Sequence, residues 1–350
     1  MTVIFACILA FALSLVLTFP IRKVIAPKLG FMDVPRDPRH IHKTATPLIG
    51  GLGIYIAFTV AAVIFGHWET ALPYIIGGGI VVACGMLDDR FSLSPKIKLL
   101  FQLAAGVVLC FFGVTVQHVC FFGHHIQMGI LQYPMTVLWV AAVSNAFNLI
   151  DGLDGLCTSI TVIASGGVGL IALTNGYDDV FVCAMILMCS ALGFLPHNVN
   201  PAKIFLGDTG SLFFGFVMSA MCIDVVYVEN THVPTVVAII LIGLPVFDTA
   251  YAIVRRIHNH QGIMTGDKNH IHHILMRRYS HVKAVVIMAL ASLICVGIAL
   301  LTTGGGVYEA IGYVLTAIAV GVAVYRFAIV KKGRYDSDEK PNDTVNPHKN

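Results

Sequence analysis

Every one of the 22 Lys and Arg residues falls in alternate gaps between long apolar stretches, and the intervening gaps hold none. A soluble fold has no reason to sort its charges this way. A chain threaded repeatedly through a bilayer does, because basic residues are retained on the cytoplasmic side. Only 12% of the residues are charged, against about 25% in soluble domains. Runs of about 20 apolar residues suffice to cross the hydrocarbon core. Eleven are legible, at about 3–19, 48–66, 71–87, 99–113, 130–147, 157–174, 179–195, 210–227, 233–253, 284–302 and 307–325. The expectation is an all-α polytopic membrane protein of about eleven transmembrane helices.

Arg22 and Lys23 follow the first run and nothing basic precedes it. It therefore reads as a retained span entering from outside, not as a cleavable signal. Eleven spans then bring the C-terminus to the cytoplasm, in accord with Arg326, Lys331, Lys332 and Arg334. Residues 1–330 read as one transmembrane domain and 331–350 as a polar, disordered cytoplasmic tail. The outer gap 114–129 mixes β-branched and aromatic residues around Gly123, the pattern of a small surface hairpin. Nine cysteines without CxxC spacing read as small buried hydrophobes. Basic residues dispersed among helix ends exclude a nucleic-acid surface. The lack of an internal repeat counts against an inverted-repeat transporter. Pro245 inside the ninth run predicts a break or tilt there.

The gaps that hold the basic residues also hold the carboxylates. Asp88-Asp89 closes the third run, with Lys96 and Lys98 near enough in sequence to balance two adjacent negative charges. Alone, that pair suits a solvated ion pair as well as a phosphate- or metal-handling one. The segment NAFNLIDGLDG is more specific. Asn145 and Asn148 share a helix face, and Gly152 and Gly155 permit a turn that presents Asp151 and Asp154. Asp154 is also placed to cap the sixth span. Four oxygen-bearing side chains in ten positions suit a hard cation. Gly207 to Ser211, GDTGS, opens the eighth span with free backbone N–H groups and close backbone approach, a phosphate-binding start. Asp208 there would repel a bare phosphate, so a bridging Mg²⁺ is implied. Arg255-Arg256 and the Asp267 to His273 segment (DKNHIHH) occupy the long gap 254–283. Arg256 suits bidentate phosphate contact, and the histidines suit sugar or diphosphate recognition better than zinc, for which the spacing is wrong. Asp248, near the inner end of its span, is expected to pair with a base there, and Asp224 is read as interfacial.

With these motifs in this order, the chain resembles the polyprenyl-phosphate N-acetylhexosamine-1-phosphate transferases. It looks most like the bacterial undecaprenyl-phosphate N-acetylglucosamine-1-phosphate transferases. The resemblance runs from about Asp33 to Met276, through DxP…RxxHK…PxxGG, DD…SPKxK, NxxNxxDGxDGL, FLGDTGS, PVFD and RR…DxxHxHH. It implies a ten- or eleven-helix fold with a cytoplasmic Mg²⁺ site (Mn²⁺ able to substitute). Asp208 and Asn148 resemble the metal ligands, with Asp151 beside them. Asp88 and Asp89 resemble the pair that handles the lipid phosphate. Phe205 resembles the aromatic that stacks on uracil, and Gly152, Leu153 and Asp154 the rest of the uridine pocket. Arg256, His270, His272 and His273 resemble the part that reads the sugar and its phosphates. Leu48 stands where relatives often carry Arg.

The reaction so implied moves N-acetylglucosamine-1-phosphate from UDP-GlcNAc to undecaprenyl phosphate and releases UMP. It would occur in a bacterial inner membrane, as the first membrane step of envelope polysaccharide or teichoic-acid linkage synthesis, and a homodimer is compatible with it. Asp88, Asp89 and Asp208 are the expected catalytic residues. The nearest rival is a phospho-N-acetylmuramoyl-pentapeptide transferase, against which the DxxHxHH spacing and eleven spans count. A transporter, the more remote rival, would carry charges deep within its spans.

Overall fold

The computed structural model describes residues 1–33, 45–121, 124–227, 233–258 and 270–321. The expected tail 331–350, the RxxHK segment and Asp267 lie outside those residues. Helix α1 (Thr2–Pro20) continues through a π-helical turn, Ile21–Ile25, into α2 (Ala26–Leu29). Two short strands, β1 (Met32–Asp33) and β2 (Thr46–Pro47), then pair antiparallel, Met32 opposite Pro47. There follow α3 (Gly50–Phe65), α4 (Trp68–Phe91) and α5 (Pro95–Phe111). A hairpin of β3 (His118–Phe121) and β4 (His124–Gln127) comes next. Helices α6 (Gln132–Ile150), α7 (Leu156–Thr174), α8 (Asp178–Asn198) and α9 (Gly207–Tyr227) complete the centre. The described remainder is α10 (Val236–Leu241), α11 (Gly243–His258), α12 (Ile271–Met276), α13 (His281–Thr302) and a shorter apolar helix α14 (Gly306–Gly321).

Seven helical segments among the described residues are long and apolar enough to cross a membrane. The protein is a helical, membrane-integral one. Each of the eleven apolar runs coincides with a helix, the ninth in two pieces. That break sits at Ile242, between α10 and α11, so Pro245 falls in the first turn of α11, where a missing N–H is tolerated. The hairpin expected around Gly123 is present, and it docks through Cys120 and Thr235, which exchange two bonds of 2.8 and 3.1 Å.

Helix α9 is the axis of the bundle. Its residues are apolar on every face, and a helix of that kind is buried all round. Leu212, Phe213, Phe214, Phe216, Val217 and Met218 are enclosed by packing from α3, α4 and α6. Helix α11 is built differently. Its buried residues, Leu244, Pro245, Asp248, Ala252 and Arg256, recur at helical spacing and carry two ionisable groups inward.

The two ends of the bundle differ in chemistry. At one end, α3, α5, α7, α9 and α13 begin where α4, α6 and α8 finish, and Asp88, Lys98, Asn148, Asp154 and Asp208 make their bonds there. At the other end, His67 meets Asp179 at 3.4 Å, the Tyr74 hydroxyl donates to Asp224, and the hairpin docks on Thr235. Asp224, half-buried near that end as its interfacial reading expects, is bonded there by Tyr74.

Candidate active site

The start of α9 organises the site. Gly207 has a left-handed backbone, φ 71°, which lets the chain turn sharply into the helix. Two close approaches fix where that helix begins. A Cβ on Gly51 would lie 2.2 Å from the Gly210 Cα, and one on Gly85 would lie 2.3 Å from the Thr209 nitrogen. The start is also bonded to the loop before α3: Gly50 N and Gly51 N donate to the Phe205 and Leu206 carbonyls at 3.0 Å each, and Phe205 N donates to Pro47 O at 2.9 Å. The loop that carries Leu48 is therefore tied through its backbone to the FLGD segment.

Asp88 and Asp89, adjacent in sequence, face different partners. Asp89 turns to the α9 start, where its carboxylate accepts from Asp208 N (2.9 Å), Thr209 N (3.2 Å) and the Thr209 hydroxyl (2.6 Å). That is the bonding of a helix cap supplied by a neighbouring helix. Asp89 thus braces the start of α9, and these bonds leave its expected part in handling a lipid phosphate untested. Asp88 points to Lys98, whose ammonium lies 3.1 Å from Asp88 Oδ2 and 2.7 Å from Asp208 Oδ2. The other Asp88 oxygen accepts from Leu93 N at 2.8 Å. Lys98 is thus the balancing charge that the carboxylates require. Lys96 is exposed and does not join them, because two residues along a helix put it on another face.

On α6, Asn148 Nδ2 donates to Ser211 Oγ at 3.1 Å, which brings this amide to the first turn of α9. Asn145, expected on the same helix face, is bonded away from α9. It exchanges two amide bonds with Gln102 of α5 and donates to Ala141 O. Asp151 follows the last turn of α6. Burial, and then the like charges of Asp208, Asp89 and Asp154, push its carboxyl well above the ordinary carboxylate range. No hydrogen-bond donor among the described residues meets that carboxylate.

Asp154 does not cap α7. Its carboxylate accepts from Asn200 Nδ2 (2.9 Å) and Ala202 N (3.1 Å), which tie the DGLDG turn to the loop after α8. The cap on α7 comes instead from Asn198, whose Oδ1 accepts from Gly155 N (3.1 Å) and the Thr158 hydroxyl (2.9 Å). Its Nδ2 donates to Ile204 O at 3.2 Å. Asn198 therefore joins the two segments that carry Asp151 and Asp208. The sequence signal was a polar residue ending an apolar helix. Gln102 gave a similar signal, being the polar residue in LLFQLAAGVV. Leu153 is buried and Gly152 exposed in this turn, and Phe205, half-buried, is bonded to Pro47 and Gly50.

The His270 to His273 segment comes to the same turn. Asp248 pairs as expected with an inner-end base: it accepts from His270 Nδ1 and Ile271 N, each at 2.8 Å. His270 and His272 stack in parallel with centroids 5.8 Å apart, and His273 follows at 4.2 Å from His272. The His272 ring fills the space in which a side chain at 152 would sit, with Nε2 2.2 Å from such a Cβ. Burial, then the neighbouring His273, lowers its pKa to about 4. Arg256 is buried on the inward stripe of α11.

Among the described residues, no three His, Cys, Asp or Glu side chains form a group able to hold a metal. The set that fits a hard cation is mixed: the Asp208 and Asp151 carboxylates and the Asn148 amide oxygen. The fit rests on Asp151, a carboxylate among three like charges that no donor relieves, because such a group calls for a nearby positive charge.

Comparison with known proteins follows the same residues. The sequence profile of glycosyl transferase family 4 matches residues 71–226. The chain is 39% identical over 287 residues to a probable undecaprenyl-phosphate N-acetylglucosaminyl 1-phosphate transferase of Bacillus subtilis, covering 81% of this chain and 80% of the relative. The chain belongs to glycosyl transferase family 4. It is also 29% identical to the undecaprenyl-phosphate alpha-N-acetylglucosaminyl 1-phosphate transferase of Escherichia coli K12, over 83% of this chain and 81% of that one. A decaprenyl-phosphate N-acetylglucosaminephosphotransferase of Mycolicibacterium smegmatis is 30% identical over 86% of this chain and 81% of its own length. This family 4 member is an enzyme, a phosphotransferase, and the profile spans the segment from α4 to α9 that builds the site.

Proposed function

We propose that the enzyme transfers N-acetylglucosamine-1-phosphate from UDP-GlcNAc to undecaprenyl phosphate, releasing UMP, at the cytoplasmic face of a bacterial inner membrane. Eleven spans, with the N-terminus outside, put the Asp88–Lys98–Asp208 end on that face. The observation that carries the reading is the Lys98 ammonium held between Asp88 and Asp208 beside Asn148 and Asp151. This is a compact set of charges suited to two phosphate-bearing substrates. The relatives' names supply the acceptor, undecaprenyl phosphate, and the transferred N-acetylglucosaminyl 1-phosphate group.

A phosphate monoester with a second pKa near ~6 is largely dianionic at neutral pH, so its oxygen can attack the β-phosphorus directly. The new P–O bond forms as the bond to the UMP oxygen breaks, and UMP leaves with that electron pair. Both Asp88 oxygens are bonded in the structure, which suits orienting the acceptor through Lys98 better than serving as nucleophile. Asp208, Asn148 and Asp151 would hold Mg²⁺, which neutralises the donor's diphosphate. We assign Arg256, His270, His272 and His273 to the donor sugar and its phosphates, and Phe205 with Gly152, Leu153 and Asp154 to the uridine; the packing of His272 on Gly152 makes the two groups neighbours.

Purified protein with undecaprenyl phosphate, Mg²⁺ and a panel of UDP-sugars, including the muramoyl-pentapeptide donor, tests this through UMP release. UDP-GlcNAc should be the preferred donor. Turnover with the peptide-bearing donor alone would refute the assignment, as would isolation of a phosphorylated Asp for the single-step chemistry.

A further inference from the structure

Two polar side chains between α5 and α6 are not used by the mechanism above. Gln102 is fully buried; its Oε1 accepts from Asn145 Nδ2 at 2.6 Å, and its Nε2 donates to Asn145 Oδ1 at 3.3 Å. Asn145 Nδ2 also donates to Ala141 O one turn back on its own helix, at 2.8 Å. Gln102 stands one turn beyond Lys98 on α5, and Asn145 stands one turn before Asn148 on α6. The pair thus lies directly behind two residues that meet the start of α9.

We infer that Gln102 and Asn145 form a positioning clamp that fixes the register of α5 against α6, and so holds Lys98 opposite Asn148; its kinetic test rests on the reaction proposed above. Apolar side chains would pack two membrane helices together without cost, whereas an unpaired amide in such an interior is costly. Reciprocal amide bonds are satisfied in one register only. A slip of one residue translates a helix by about 1.5 Å and turns it by about 100°, which separates the amides. The same logic lets a single buried Asn set register in coiled coils. Near the start of α9, misplacement by about 1 Å is enough to lower a rate roughly 100-fold.

The test compares Gln102→Leu, Asn145→Leu, the double Leu variant and the exchanged pair Gln102→Asn with Asn145→Gln. UMP release gives kcat and KM, and thermal unfolding gives the coupling. Each single Leu variant should lose at least about tenfold in kcat with KM for the nucleotide-sugar within about twofold, as for a lost geometric constraint. The exchanged pair, which keeps both amides inside, should recover most of kcat, and the unfolding losses should be non-additive. Unchanged kcat in the single variants overturns the clamp. So does a rise in KM with kcat intact, which would make Asn145 a substrate contact. If a Leu variant does not fold, the exchanged pair decides: kcat near that of the wild type upholds the clamp, and a tenfold loss overturns it. Wild-type protein that releases no UMP from any UDP-sugar counts against the donor assignment alone. The unfolding cycle then judges the clamp, additive losses overturning it.

Discussion

Lys98 sits where two carboxylates converge, so its removal and theirs should differ in kind. Asp208→Ala is expected to abolish turnover while the protein folds, because Asn148 and Asp151 remain without their partner; near-normal UMP release in that variant would refute the assignment of Asp208. Lys98→Met leaves Asp88 and Asp208 facing each other unbalanced, which should reduce kcat more than 100-fold and lower the unfolding temperature. Asp151 makes a second, pH-dependent prediction. Its carboxyl is raised in the folded state, so the stability it contributes is full below the unfolded pKa and is lost as pH rises through the folded one. Without divalent cation, Asp151→Asn should therefore unfold at a higher temperature than wild type at pH 8, with the gap closing toward pH 4. With Mg²⁺ the order should reverse, because a cation that binds the folded state alone stabilises it. Thermal scans at several pH values, with and without Mg²⁺, check both signs.

At the scale of elements, the α9 start depends on pieces far apart in sequence, and here the limits of sequence reading show. The apolar runs and the glycine-marked turns made the helices and both carboxylate segments legible, since their signals are local. Asp88 and Asp89 looked equivalent. Only the packing of α4 against α9 separates a cap from a lysine partner, and adjacent residues on a helix point about 100° apart. Asn198 and Gln102 stand out locally as polar residues in apolar helices, but their partners lie about 40 residues away, where no local signal points. Asp89→Asn retains one acceptor oxygen but loses the charge, and should destabilise by about 1–2 kcal/mol as for other caps. Its kcat loss should be smaller than that of Asp208→Ala; a loss as complete as that variant's, in a protein of unchanged stability, would assign Asp89 to direct catalysis. Gly85→Ala places a methyl group against the Thr209 backbone, and should cost more than the cap, as overpacking of about 1–3 kcal/mol or above. The α12 segment carries its own titration. His272, lowered to about 4, loses stability for the fold as pH drops from near 6.5 toward 4, because the unfolded chain takes up the proton first. His272→Gln should flatten that part of the stability profile, measured by denaturation between pH 4 and pH 7.

For the whole molecule, the alternation of basic gaps anticipated which helix ends would meet, and the bonds at the α9 start bring those ends together. The side of the membrane proposed for them rests on charge alone. Single cysteines at Lys96 and His124 should therefore react with an impermeant maleimide from opposite sides of intact cells, Lys96→Cys only after permeabilisation. Labelling of both from outside would refute the proposed orientation. The central position of α9 has a further consequence, for biogenesis. The helices that cover most of it, α4, α6 and α3, all precede it in the chain. When Gly207 emerges from the ribosome, most of the slot for this helix has already been made, and Asp208 arrives after Asp88 and Asp151. The most enclosed helix of the bundle is thus made after its main neighbours, and α11 with the His270–His273 segment is added to the site last.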